Sequence, residues 1–77
     1  MNKKEAKKII ETITPREMQV VKLICREYTN QEIGDKLELS RRTVESHRVR
    51  IMEKLKVTTT IGLVVFAFSY GIMKPKK

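Results

Sequence analysis

Three helix-start signals between residues 14 and 40 constrain this chain more than any other feature. Thr14 is followed by Pro15 and, three places on, by Glu17. In this pattern a hydroxyl and a carboxylate reciprocally satisfy the free N–H groups of a helix start, with proline at the first helical position. Thr29 and Glu32 repeat it, and Ser40 is a third cap, with Thr43 where a glutamate would complete the box. The pairs Ile13/Met18, Tyr28/Ile33 and Leu39/Val44 are spaced as the hydrophobic staples that accompany such caps. The spacing predicts helices over 15–27, 30–37 and 41–55.

Only Glu38, Leu39 and the cap Ser40 separate the second and third of these helices. So short a connection forces the sharp crossing of a helix-turn-helix. Gly34, one turn into the second helix, lets the third approach closely, a better account of a mid-helix glycine than chance given its cost of about 1 kcal/mol. Ile33, Leu37, Leu39, Val44, Ile51 and Leu55 then share a core with Val21 and Ile24.

A fourth helix starts within Thr58–Thr60 and stops at Gly71, with Ile72 folding back on Ala67. The run from Ile61 to Phe68 also suits a buried strand, but a lone strand has no partner in an otherwise helical chain. The expected fold class is therefore all-α. A four-helix helix-turn-helix domain over 13–73 has a tri-helical core and a C-terminal fourth helix. Before it comes a basic N-terminal arm over 1–12, able to form a short helix with Ala6, Ile9 and Ile10 as its apolar contacts, and after it a basic tail over 74–77.

The net charge of +8 on 77 residues is unevenly placed. Residues 9–38 are mildly acidic, whereas residues 39–57 set Arg41, Arg42, Arg48, Arg50, Lys54 and Lys56 against Glu45 and Glu53. The rest of the excess lies at the two ends, where lysine-rich segments commonly serve as solvated tails. Such a balance points to a polyanionic partner, nucleic acid or an anionic membrane surface. With one cysteine there is no internal disulfide, which suits a reducing cytosol, and Cys25 beside Ile24 reads as core rather than redox sensor. The longest apolar stretch, Ile61 to Met73, is too short for a membrane helix of about 20 residues. Residues 1–11 lack a signal-peptide core.

With Val44 at the centre of its buried face, the third helix also turns Ile51, Leu55 and Arg48 inward, Arg48 reaching out along the edge. The opposite face carries Arg42, Glu45, Ser46, Val49, Arg50 and Glu53, flanked by Thr43 and His47. Arg41 and Arg42 occupy the first two positions, where the helix dipole disfavours cations by about 0.3–1 kcal/mol each. A phosphate there would meet free N–H groups and two guanidiniums together.

The segment TPREMQVVKLICREYTNQEIGDKLELSRRTVESHRVRIMEKLKV resembles the DNA-binding domain of LuxR-type (GerE/FixJ-like) bacterial transcription regulators. It carries the family's Thr-Pro-Arg-Glu opening, Tyr-Thr-Asn-x-Glu-Ile entry, Ser-x-x-Thr-Val-x-x-His recognition helix and Lys-Leu-x-Val exit, and the likeness runs from about Ile13 to Ile72. The resemblance implies a third helix in the DNA major groove and a fourth that dimerises. It makes Glu45, Ser46 and Val49 base-reading positions, with Arg42 and Arg50 nearby. Arg41, Thr43, His47 and Lys54 become candidates for phosphate contact or positioning. Lys56 departs from the family by replacing a usual glycine, and Thr60, Gly62 and Val65 replace usual arginine or polar residues.

On the fourth helix, Ile61, Val64, Ala67 and Phe68 can serve the core, leaving Gly62, Val65, Phe66 and Ser69 as an uncharged stripe. The stripe is expected to pair with its two-fold mate, setting two recognition helices about 34 Å apart. The alternative has Phe66 lying over the first of the four helices. The expected function is sequence-specific binding of double-stranded DNA by a cytoplasmic, homodimeric transcription regulator. The competing reading is a helix-turn-helix module that docks on RNA polymerase or another regulator. No enzyme, cofactor or metal site is expected, because one histidine, one cysteine and no glycine-rich phosphate loop make no catalytic constellation.

Overall fold

In a computed structural model describing residues 1–75, the caps stand where the sequence places them. Thr14 and Thr29 form complete capping boxes with Glu17 and Glu32 and start helices α2 (Pro15–Cys25) and α3 (Asn30–Leu37). Ser40 starts α4 (Arg41–Leu55), its hydroxyl accepting from the Thr43 N–H at 3.1 Å and lying 2.8 Å from Thr43 Oγ1. Thr59 caps α5 (Thr60–Ser69). The short N-terminal segment is helical too: α1 (Lys3–Glu11) begins at Asn2, whose side chain accepts from the Glu5 N–H. The described chain is all-helical, as expected.

Helix ends explain the tight connections. Glu27, Glu38 and Lys56 each take the left-handed conformation, with φ of 66°, 58° and 58°. Each is followed by a residue whose N–H reaches back five positions: Tyr28 to Leu23 O, Leu39 to Gly34 O, and Val57 to Met52 O. These are Schellman closures, here made without glycine. The first ends α2 at Cys25, two residues short of the expected boundary.

The core gathers Val20, Val21, Leu23 and Ile24 of α2, Ile33 of α3, Val44, Ile51 and Leu55 of α4, and Leu63, Phe66 and Ala67 of α5. Side chains of this size contribute about 1.5–3 kcal/mol each when fully buried. Leu37 and Leu39 pack at its edge. α4 runs through the middle, touching every other helix. A Cβ on Gly34 would stand 2.6 Å from the Leu39 carbonyl oxygen, so this glycine permits the α3–α4 turn itself.

The fourth-helix phase differs from the expectation. Ile61 is 77% exposed and Phe68 38%, whereas Phe66 is buried in the core with Leu63 and Ala67. The physical reason is that the run is apolar on all sides, so its periodicity carries no contrast. Packing against α2 and α4 selects the face. Phe66 is thus a core side chain and not part of the exposed stripe. Its ring lies 4.8 Å from that of Tyr70. Gly71 is left-handed as expected, but the returning backbone bond is Met73 N–H to Ala67 O, with Ile72 half-buried beside it. Of the expected basic tail over 74–77, Lys74 is exposed, and Lys76 and Lys77 lie outside the described residues.

Candidate nucleic-acid interface

The face of α4 turned away from the core is Arg42, Glu45, Ser46, Val49 and Arg50, all exposed. Val49 is 59% exposed, an apolar side chain left to solvent among polar ones. α1, α2 and α3 each carry a glutamate in the first turn, but α4 carries none and opens on Arg41 and Arg42. The start of this helix is therefore unusually positive, through both guanidiniums and unsatisfied N–H groups.

Arg41 does not stand free. Its Nε lies 3.2 Å from Glu45 Oε2 one turn on, a surface pair worth little in water. The spacing of these two residues is a signal visible in the sequence. Thr43 is exposed at the N-terminal cap, and His47 is half-buried on the flank with its Nδ1 buried and without a hydrogen-bond partner.

Lys54, a candidate for phosphate contact or positioning, is engaged within the chain. Its Nζ donates to the Thr12 carbonyl at 2.9 Å and to Glu17 Oε1 at 2.7 Å, tying α4 to the start of α2 and the end of α1. Glu17 is the one buried charged residue among those described, 3% exposed. Burial pushes its carboxyl up, but the Lys54 hydrogen bond, the Thr14 N–H and the Lys54 charge outweigh this and hold it below its usual value of 4.5. Arg48 runs along the edge of α4 as expected and donates to Thr60 Oγ1 at 2.6 Å, linking α4 to the first residue of α5. Neither of these long-range partners is signalled by local spacing.

On α5, Ile61, Val65 and Phe68 form the exposed apolar stripe. Ser69 is exposed beyond it. Gly62 is half-buried, and a Cβ there would lie 3.3 Å from Val57 and from Thr59 of its own chain. Cys25 is half-buried against the core, and burial raises its thiol pKa while Arg26 opposes this weakly, so the thiol stays protonated. Among the described residues no cluster of three potential metal ligands occurs, and no helix is long and apolar enough to cross a membrane.

A helix-turn-helix that presents a basic, uncovered second helix defines a DNA-binding regulatory domain. The family model for bacterial regulatory proteins of the luxR family matches residues 11–67, and the chain belongs to that family, one of DNA-binding transcription regulators and not of enzymes. The chain is 45% identical over 60 residues to the uncharacterized response regulatory protein YgeK of Escherichia coli, covering 78% of this chain and 41% of that protein. It is 39% identical over 61 residues to the transcriptional regulatory protein MctR of Rhizobium johnstonii, covering 79% and 28%. It is 32% identical over 71 residues to the response regulator protein VraR of Staphylococcus saprophyticus, covering 92% and 34%. The solved response regulator StyR superposes with a TM-score of 0.84 at 33% identity, covering 87% of this chain and 34% of that one. The chain thus spans well under half the length of these relatives.

Proposed function

We propose that this chain binds double-stranded DNA sequence-specifically as a cytoplasmic transcription regulator, with α4 in the major groove. The observation that carries the reading is the uncovered face of α4. Glu45 can accept from a cytosine N4 amine, Val49 can touch a thymine methyl, and Ser46 can pair with either kind of edge. Arg42 and Arg50 reach bases or phosphates beside them, and Arg41, Thr43 and His47 contact phosphates at the helix start and flank. Lys54 acts by holding α4 in place.

The exposed Ile61, Val65 and Phe68 support homodimerisation through α5, with Ser69 and Gly62 at the margins of the contact. Two α4 helices then enter successive major grooves about 34 Å apart.

Binding measured on duplex DNA across a salt series tests the reading. Affinity falling steeply between about 50 and 200 mM salt, and weakened in Arg50→Ala, is expected. Equal affinity at both salts would contradict it.

A further inference from the structure

The lysines of α1 are not a solvated tail. Ala6 is 1% exposed, Ile9 and Ile10 pack at the core edge, and the Tyr70 hydroxyl donates to the Met1 carbonyl at 2.9 Å. At the other end, Lys54 grips the Thr12 carbonyl, so α1 is fixed to the helix that carries the candidate DNA face. Lys3, Lys4, Lys7 and Lys8 are all exposed, and none forms an ion pair among the described residues. Glu5, the nearest carboxylate in sequence, is engaged by Asn2.

Glu5 in the first turn and Lys8 in the last suit the dipole of this helix, but its other lysines do not. Lys3/Lys7 and Lys4/Lys8 are like-charge pairs one turn apart, which destabilise a helix. Lys3 and Lys4 also stand in the first turn, against the dipole. Beside them an open groove of about 640 Å³ runs between α1 and the end of α5, with Lys3, Lys7 and the carboxylate of Glu11 on one wall and Ser69 and Tyr70 on the other. A polyanion lying along the lysines would relieve both conflicts together.

We infer that the lysine face of α1 is a second DNA contact, gripping backbone phosphates without reading sequence while α4 reads bases. The inference rests on the proposed DNA binding and adds to it a surface outside the helix-turn-helix. Because α1 is anchored to α4 through Lys54, its lysines reach the duplex at a fixed offset.

The test compares the full chain with a variant carrying Lys3→Gln, Lys4→Gln, Lys7→Gln and Lys8→Gln, on a long mixed-sequence duplex over a salt series. Glutamine preserves helix propensity, and thermal melting of both proteins without DNA verifies that the variant folds. With two phosphates engaged at a slope of about 0.9 each, the parent's loss of affinity between about 50 and 200 mM salt exceeds the variant's by about tenfold. If the parent binds with a steep salt dependence and the folded variant matches it, the inference fails and the α4 reading stands. If the parent binds no duplex at all, both fail. Lysine-dependent capture of polyglutamate by a protein whose DNA affinity the variant leaves unchanged would make an acidic polypeptide the partner instead.

Discussion

The ammonium group of Lys54 lies 2.7 Å from a carboxylate oxygen of Glu17, joining residues 37 positions apart in the chain. The same carboxylate oxygen accepts from the Thr14 N–H at 2.9 Å, so one buried glutamate caps α2 and anchors α4. Lys54→Met leaves that carboxylate without its cation. A loss of about 1–3 kcal/mol is expected, the cost of an unsatisfied buried polar group. At about 4–8 °C of melting temperature per kcal/mol for a domain of this size, a thermal scan resolves it easily. A variant that melts like the parent yet binds DNA weakly would return Lys54 to a phosphate contact.

The depressed Glu17 pKa sets a pH dependence. A group whose folded pKa lies below its ordinary value of 4.5 gives full stabilisation above that value and loses it as pH falls through the folded one. Stability should therefore decline on acidification below about pH 4.5. Urea midpoints of Glu17→Gln should be lower at neutral pH and change less over that acidic range. An unchanged acid profile would mean that Glu17 contributes nothing to it.

Gly34→Ala tests the turn. Alanine gains about 1 kcal/mol in helix propensity, but its Cβ would meet the Leu39 carbonyl oxygen at 2.6 Å, and overpacking of this kind costs about 1–3 kcal/mol. Backbone cannot rotate away as a side chain can, so a net loss is expected by denaturation. A raised midpoint would show that α4 can shift freely. Lys56→Gly should act in the opposite sense, gaining about 1 kcal/mol by relieving a left-handed non-glycine residue.

Val65→Asp and Phe66→Asp should separate association from folding. Val65 is 57% exposed, so the charge there should abolish dimers in sedimentation while melting stays close to the parent's. Phe66 is 5% exposed, and a carboxylate there should unfold the domain. Val65→Asp that associates like the parent would remove α5 as the dimer surface.

The parts of the fold legible in the sequence are those set by neighbours within one helical turn. Thr14, Thr29 and Ser40 announce their helices because capping is a contact over three residues, and Gly34 marks its turn by its very cost. Asn2 with Glu5 is a weaker signal of the same kind, and it starts α1. The face of α4 is legible because charge contrasts with Val44, Ile51 and Leu55. α5 offers no such contrast, so Phe66 and Phe68 exchange roles once packing decides. The Lys54–Glu17 and Arg48–Thr60 contacts are tertiary, and no pattern along the chain encodes them.

The central claim is that the exposed face of α4 reads base pairs. Selection of bound sequences from a randomised duplex pool tests it most directly, using the parent, Glu45→Ala and Ser46→Ala. The account predicts a two-fold symmetric consensus for the parent, and altered preference at defined half-site positions for each variant. Enrichment of no sequence, or one consensus shared by all three proteins, would contradict it.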